Sequence, residues 1–169
     1  MCRRTHATGT TFAANARIKA QAVALASGCW ALADDSGLSV TALAGAPGVH
    51  SARYAASDAA RIARLLEELA RADALAAARG ETVDRSACFT AALALADPEG
   101  SIVVEVEGVC PGEILEAPRG SGGFGYDPVF LVPEVHLTFA ELDQAAKARL
   151  GHRGRAFALL QPRLSELLG

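Results

Sequence analysis

The stretch ACFTAALALADPEGSIVVEVEGVC, residues 87–110, decides the fold. An apolar run and an alternating run flank PEG, so the stretch reads as two strands, 87–97 and 101–110, joined as a hairpin. In the second strand Val103, Glu105 and Glu107 share one face. Ile102, Val104 and Val106 share the other, which is the expected buried face. Gly108 interrupts that apolar face and predicts either a bulge or a close backbone approach.

Working outward, SDAARIARLLEELARADALAAA (57–78) has Ile62, Leu65, Leu66 and Leu69 at helical spacing, with Ser57 and Asp58 at its start. TTFAANARIKAQAVALASG (10–28) is a second helix, capped by Thr10 or Thr11 and ended by Gly28. CWALAD (29–34) reads as a buried strand ending in acids, LSVTAL (38–43) as another extended piece, and GAPG (45–48) as a turn. RGETVDRS (79–86) is a polar link, and the glycine-dense PRGSGGFGYDP (118–128) is a loop. The TFAE pattern predicts a helix from Thr138, with Glu141 closing a capping box. GHRG (151–154) should break that helix, and the terminal helix that follows should bend or restart at Pro162. The expected architecture is one α/β domain over 1–169, a mixed twisted sheet flanked by helices.

A length of 169 residues suits one domain with a substantial core, and an apolar content of 51% is that of a globular chain. The net charge of −3 gives no reason to expect a nucleic-acid polymer or an anionic membrane as partner. No apolar stretch has the length of a membrane span, and MCRRTHATG has no apolar region behind its basic residues, so no signal peptide is expected. Cys2, Cys29, Cys88 and Cys110 are scattered without metal-ligand spacing, which predicts reduced thiols and a cytoplasmic setting.

Four groups of residues carry chemistry. Asp34 and Asp35 are adjacent at an expected strand end, where alternation aims them in different directions. One can bind a hard cation such as Mg²⁺ or accept a proton, while the other bonds backbone amides; an Asx-turn or a helix cap would use the same residues. GSGGFGYDP combines glycines that let backbone N–H groups approach an anion with Phe124 and Tyr126, either of which suits a flat ring. Lys147, His152, Arg153 and Arg155 suit a phosphate or a base carbonyl, or simply form a solvated basic face. Asn15 and Lys19, four apart, share one helix face.

TGTTFAANARIKA, ADDSGLSV, GAPGVHSARYA, GGFGYDPVF and GHRGRA, in this order, resemble the inosine triphosphate pyrophosphatase family from about Thr8 to the C-terminus. That resemblance implies an α/β fold with the substrate cleft between two lobes, usually in a homodimer. It also implies Mg²⁺-dependent hydrolysis of non-standard purine nucleoside triphosphates (ITP, dITP, XTP) to the monophosphate and pyrophosphate. Asp35 would be the proton acceptor and a Mg²⁺ ligand, Ser36 would contact substrate, and Asn15 and Lys19 would face the triphosphate. Phe124, Gly125, Tyr126 and Asp127 would line the base pocket, and Lys147, His152 and Arg153 match the family's lysine and its HR pair, which reads the purine.

The family also carries an apolar strand and a T/S-G-N-x-x-K loop ahead of TG-x-TF, whereas Met1 lies just before Thr8 here. Its E-T-G-x-T-F-x-E-N-A pattern meets Ala7 and Ala14 in this chain. The chain therefore resembles an N-terminally truncated member, for which weak turnover is expected. The alternatives are a catalytically impaired purine nucleotide-binding protein and a different Mg²⁺-dependent phosphoesterase.

Overall fold

A computed structural model describes residues 9–169, apart from the side chain of Leu168. The expectations for Cys2 and Ala7 lie outside the described residues. In chain order the elements are α1 (Phe12–Ser27), β1 (Ala31–Val40), α2 (Asp58–Ala77), β2 (Ser86–Ala96), β3 (Ile102–Ile114), β4 (Phe130–Val132), β5 (Leu137–Thr138), α3 (Gln144–Leu150) and α4 (His152–Leu168). The five strands form one sheet in the order β1-β2-β3-β4-β5. Glu113 of β3 stands opposite Leu131 of antiparallel β4, and Leu131 in turn stands opposite Thr138 of antiparallel β5. No described helix is long and apolar enough to cross a membrane.

The hairpin forms as its sequence predicts. Asp97 closes it, accepting the Gly100 N–H on its carbonyl at 2.9 Å and the Ser101 N–H on its carboxylate at 2.8 Å. Gly108 makes no break: β3 runs through it to Ile114. A Cβ there would lie 2.2 Å from the Ala156 nitrogen and 2.3 Å from the His152 oxygen, so the glycine admits the backbone of α4.

Two compact units divide the chain, the first taking in residues up to Ser36, Thr90–Val109 and Gly151–Gly169, the second Gly37–Phe89 and Cys110–Leu150. In the first, α1 starts where the Thr11 hydroxyl accepts the Ala14 N–H and stops at left-handed Gly28. Its buried Ala16, Ala20 and Ala24, spaced by four, pack with Ala31, Ala92, Ala94 and Ala96. Methyl-sized side chains on both surfaces let helix and strands approach closely. The alternate residues of β2, Ala91 and Leu93, pack instead with Ala156 and Leu160 of α4, against Val104 and Val106. β2 thus carries a helix on each face.

The second unit has the larger side chains. Phe89, Phe130 and Phe139 cluster with ring centroids 4.6 to 5.6 Å apart. Around them lie Leu38, Val40, Tyr126, Val129 and, from α2, the fully buried Leu65 and Leu69. The Ser57 hydroxyl caps α2 by accepting the Ala60 N–H.

Three expectations are corrected. β1 runs unbroken from Ala31 to Val40, so Asp34, Asp35, Ser36 and Gly37 lie inside a strand, and Thr41–Leu43 form a 3₁₀ turn. The acids need no local turn because side chains remote in sequence satisfy them. Thr138 lies in β5 and does not start a helix. Its amide does donate to Glu141 at 2.8 Å, but its hydroxyl donates to the Arg119 carbonyl, so half of the capping box closes a turn. Helix α3 begins later, where the Asp143 carboxylate accepts the Ala146 N–H at 2.7 Å. Finally, GHRG breaks the chain only at Gly151, which caps α4; His152, Arg153 and Gly154 form its first turn, and the helix continues through Pro162.

Candidate functional site

In the first unit the alternation of β1 separates its two acids, as the sequence predicts. Asp35 faces α1: its Oδ2 accepts from Asn15 Nδ2 at 3.0 Å and its Oδ1 from Lys19 Nζ at 2.5 Å. The Lys19 ammonium also donates to the Asp34 carbonyl at 3.0 Å, so it grips backbone and side chain together. Asn15 is buried and its own Oδ1 accepts the Gly9 N–H at 2.8 Å, which fixes the amide that meets Asp35. The four-residue spacing of Asn15 and Lys19 puts both on the helix face that meets the strand.

Asp34 and Ser36, two apart, share the other face of β1 and share one partner. Arg153, in the first turn of α4, donates to Ser36 Oγ at 2.9 Å and reaches Asp34 Oδ2 at 3.4 Å. Among the described residues the Asp34 carboxylate thus meets a guanidinium. His152 beside it is buried, with its carbonyl against Gly108. The Arg155 amide continues the helix from Gly151.

Asp35 can take part in holding a metal ion. A carboxylate offers about four lone-pair sites, and Asn15 and Lys19 use two of them. Among the described residues no three His, Cys, Asp or Glu residues gather to hold a metal. A cation here would depend on Asp35 together with water and ligand oxygens, the mode that suits Mg²⁺.

In the second unit the glycine-dense loop is ordered by its own carboxylate. Asp127 is buried, and its Oδ2 accepts the Phe124 N–H at 2.7 Å and pairs with Lys147 of α3. Gly123 stands at φ +74°, where a Cβ would meet Asp127 Oδ2 at 2.0 Å, so this turn admits only glycine. The Lys147 ammonium lies 4.8 Å from the centre of the Phe124 ring. Phe124 is 64% exposed, whereas Tyr126 is buried and donates its hydroxyl hydrogen to the Ser51 carbonyl at 2.9 Å. Burial pushes the Tyr126 pKa up, so the group stays a neutral donor. Of the two aromatic residues proposed to meet a flat ring, Phe124 is the one with a face to offer.

Two residues of this unit escape sequence reasoning. Asp58, legible only as a helix start, accepts the Gly125 N–H at 2.7 Å across 67 positions of sequence. Ser51 accepts the Leu38 N–H at 2.9 Å and donates to the Gly48 carbonyl at 2.6 Å, bracing the turn whose carbonyl Tyr126 uses. The SAR in GAPGVHSARYA was a signal for the second, and nothing local marks the first.

Known proteins can now be set beside this arrangement. The model of the Ham1 family matches residues 2–163. A dITP/XTP pyrophosphatase of Parasynechococcus marenigrum is 58% identical over 95% of this chain and 77% of its own length. One from Nostoc is 54% identical over 95% of this chain and 77% of its own length. Among solved structures, a HAM1 protein from Coxiella burnetii superposes with a TM-score of 0.87 at 46% identity, covering 95% of this chain and 80% of that one. The Staphylococcus aureus Ham1 protein does so at 0.84 and 40% identity, covering 95% and 80%. The α/β fold, the ordered motifs and these matches agree, and the chain belongs to the Ham1 family.

Proposed function

We propose that this chain hydrolyses non-standard purine nucleoside triphosphates, XTP, dITP and ITP, to the monophosphate and pyrophosphate. The observation that carries the reading is Asp35, a carboxylate held between Asn15 and Lys19 with lone pairs to spare. The names of the relatives support the substrate class.

Asp35 accepts a proton from the attacking water as its oxygen bonds to the α-phosphorus, and the bond from that phosphorus to the pyrophosphate oxygen breaks. Lys19 supplies positive charge for the phosphates and holds Asp35 in place. Mg²⁺, when bound at Asp35, would offset phosphate charge. From the second unit, the exposed Phe124 ring suits the face of a purine, with Lys147 fixed beside it by Asp127. Donors from His152 and Arg153 favour the C6 carbonyl of a hypoxanthine or xanthine base. Adenine presents an amino group there, and a donor facing a donor is strongly rejected.

The test is pyrophosphate release from XTP, dITP, ITP and ATP, with Mg²⁺ and with a chelator. Turnover of the first three that needs Mg²⁺ and spares ATP is the expected result. Equal turnover of ATP, or of simple phosphate esters, would refute the substrate assignment. Inosine monophosphate binding without any turnover would make the chain a nucleotide-binding protein instead.

A further inference from the structure

We propose that Asp58 is a positioning residue for substrate binding: from the start of α2 it holds the Gly125 N–H and thereby aims the Phe124 ring at the purine. The inference rests on the reading of Phe124 as the base contact. Phe124 is 64% exposed and has Lys147 beside its ring, and the backbone that carries it sets where that ring starts from. That backbone is pinned on both sides by carboxylates. The Phe124 amide donates to Asp127 at 2.7 Å, and the next amide, that of Gly125, donates to Asp58 Oδ2 at 2.7 Å. Asp127 belongs to the loop itself, whereas Asp58 ties it to a separate element.

Asp58 is itself immobilised. Its Oδ1 accepts from Arg61 at 2.5 Å, and the same guanidinium donates to the Ala52 carbonyl at 2.6 Å and the Ala55 carbonyl at 3.2 Å. Tyr126 adds a second tie to this segment through the Ser51 carbonyl. Helix capping does not account for Asp58, because the neighbouring Ser57 already accepts the Ala60 N–H. A charge at the first helical position favours α2, but only a correctly placed acceptor explains the loop contact.

Two variants separate those roles. Asp58→Ala removes acceptor and charge; Asp58→Asn removes the charge and keeps an acceptor for Gly125. In XTP hydrolysis, Asp58→Ala is expected to raise KM about tenfold, the worth of one charge-assisted hydrogen bond, with a smaller change in kcat. Amide hydrogen exchange at Gly125 should quicken in the same variant, a reading of the clamp that needs no turnover. Asp58→Asn, with a neutral acceptor in place of the charged one, should recover about half of that effect on KM, on a logarithmic scale, and part of the Gly125 protection. An Asn variant no better than the Ala variant would assign Asp58 to helix stability alone and overturn the proposal. An unchanged KM in Asp58→Ala, with a parent chain that turns over XTP, would overturn it while leaving the proposed function standing. A parent chain that neither binds nor hydrolyses XTP would overturn both.

Discussion

The Lys19–Asp35 pair of the first unit and the Lys147–Asp127 pair of the second join the same two kinds of side chain for different ends. Among the described residues Asp35 is met by side chains, Lys19 and Asn15 from one helix, one on each oxygen. Asp127, with its side chain only 5% exposed, directs one oxygen both to Lys147 and to the backbone of its own loop. The first arrangement fixes a carboxylate and leaves it lone pairs for a water or a cation. The second fixes a loop. Among the described residues the two pairs thus differ in whether the carboxylate itself bonds backbone: that of Asp127 does, and that of Asp35 meets side chains.

The largest effect that tests this contrast is on turnover. Asp35→Asn keeps the shape of the side chain and an oxygen to accept from Lys19 of α1, but removes the proton acceptor. Pyrophosphate release is expected to fall by about 10²- to 10⁴-fold, the usual contribution of a general base. Circular dichroism should stay that of the parent, so that the loss is one of turnover and not of fold. Parental turnover in this variant would show that Asp35 is only another fastening.

Asp127→Asn should show the converse. The amide keeps an acceptor for Phe124 but leaves the half-buried Lys147 ammonium without its anion. Hydrogen bonds to charged groups contribute roughly 1.5–3 kcal/mol, so a loss of about 2 kcal/mol in stability is expected, read as a lower urea midpoint at constant slope. An unchanged midpoint would remove the distinction between the two pairs.

The same contrast explains what the sequence reveals. Elements fixed by neighbours were legible: the Thr11 and Ser57 caps, the left-handed Gly28 and the turn at Asp97 each involve partners within a few residues. DDSG misleads because Asp, Ser and Gly favour turns when their side chains bond nearby backbone. Here Asn15, Lys19 and Arg153 take those side chains, and the strand continues. TFAE misleads in the same way, since the Thr138 hydroxyl that would cap a helix is taken by the Arg119 carbonyl. In the site, Asp35 and the FGYD loop are recognisable as motifs, but Asp58 bonds Gly125 from 67 positions away, a separation that no local pattern encodes.

The smallest effect is a titration that reads the second unit alone. Both tyrosines of the chain lie there, whereas its single tryptophan, Trp30, lies in the first. Burial, with a hydrogen bond to Glu68 and the charge of that carboxylate, pushes the Tyr54 hydroxyl up to about 12. Burial pushes Tyr126 upward too. In an unfolded chain both would lose their protons near pH ~10. Because the folded values are raised, the unfolded state releases its protons first, and deprotonation favours unfolding. The stability these two groups contribute is therefore complete below about pH 10 and, for Tyr54, is lost as the pH rises towards about 12. Tyrosinate absorbance in the native protein should stay flat through pH ~10 and rise only as the second unit opens, with Trp30 fluorescence reporting the first unit in the same sample. A tyrosinate step near the ordinary value in the folded protein would show that Tyr126 is not sealed against Ser51. The loop that carries Phe124 would then lack the tie to Ser51 that helps make it a fixed surface.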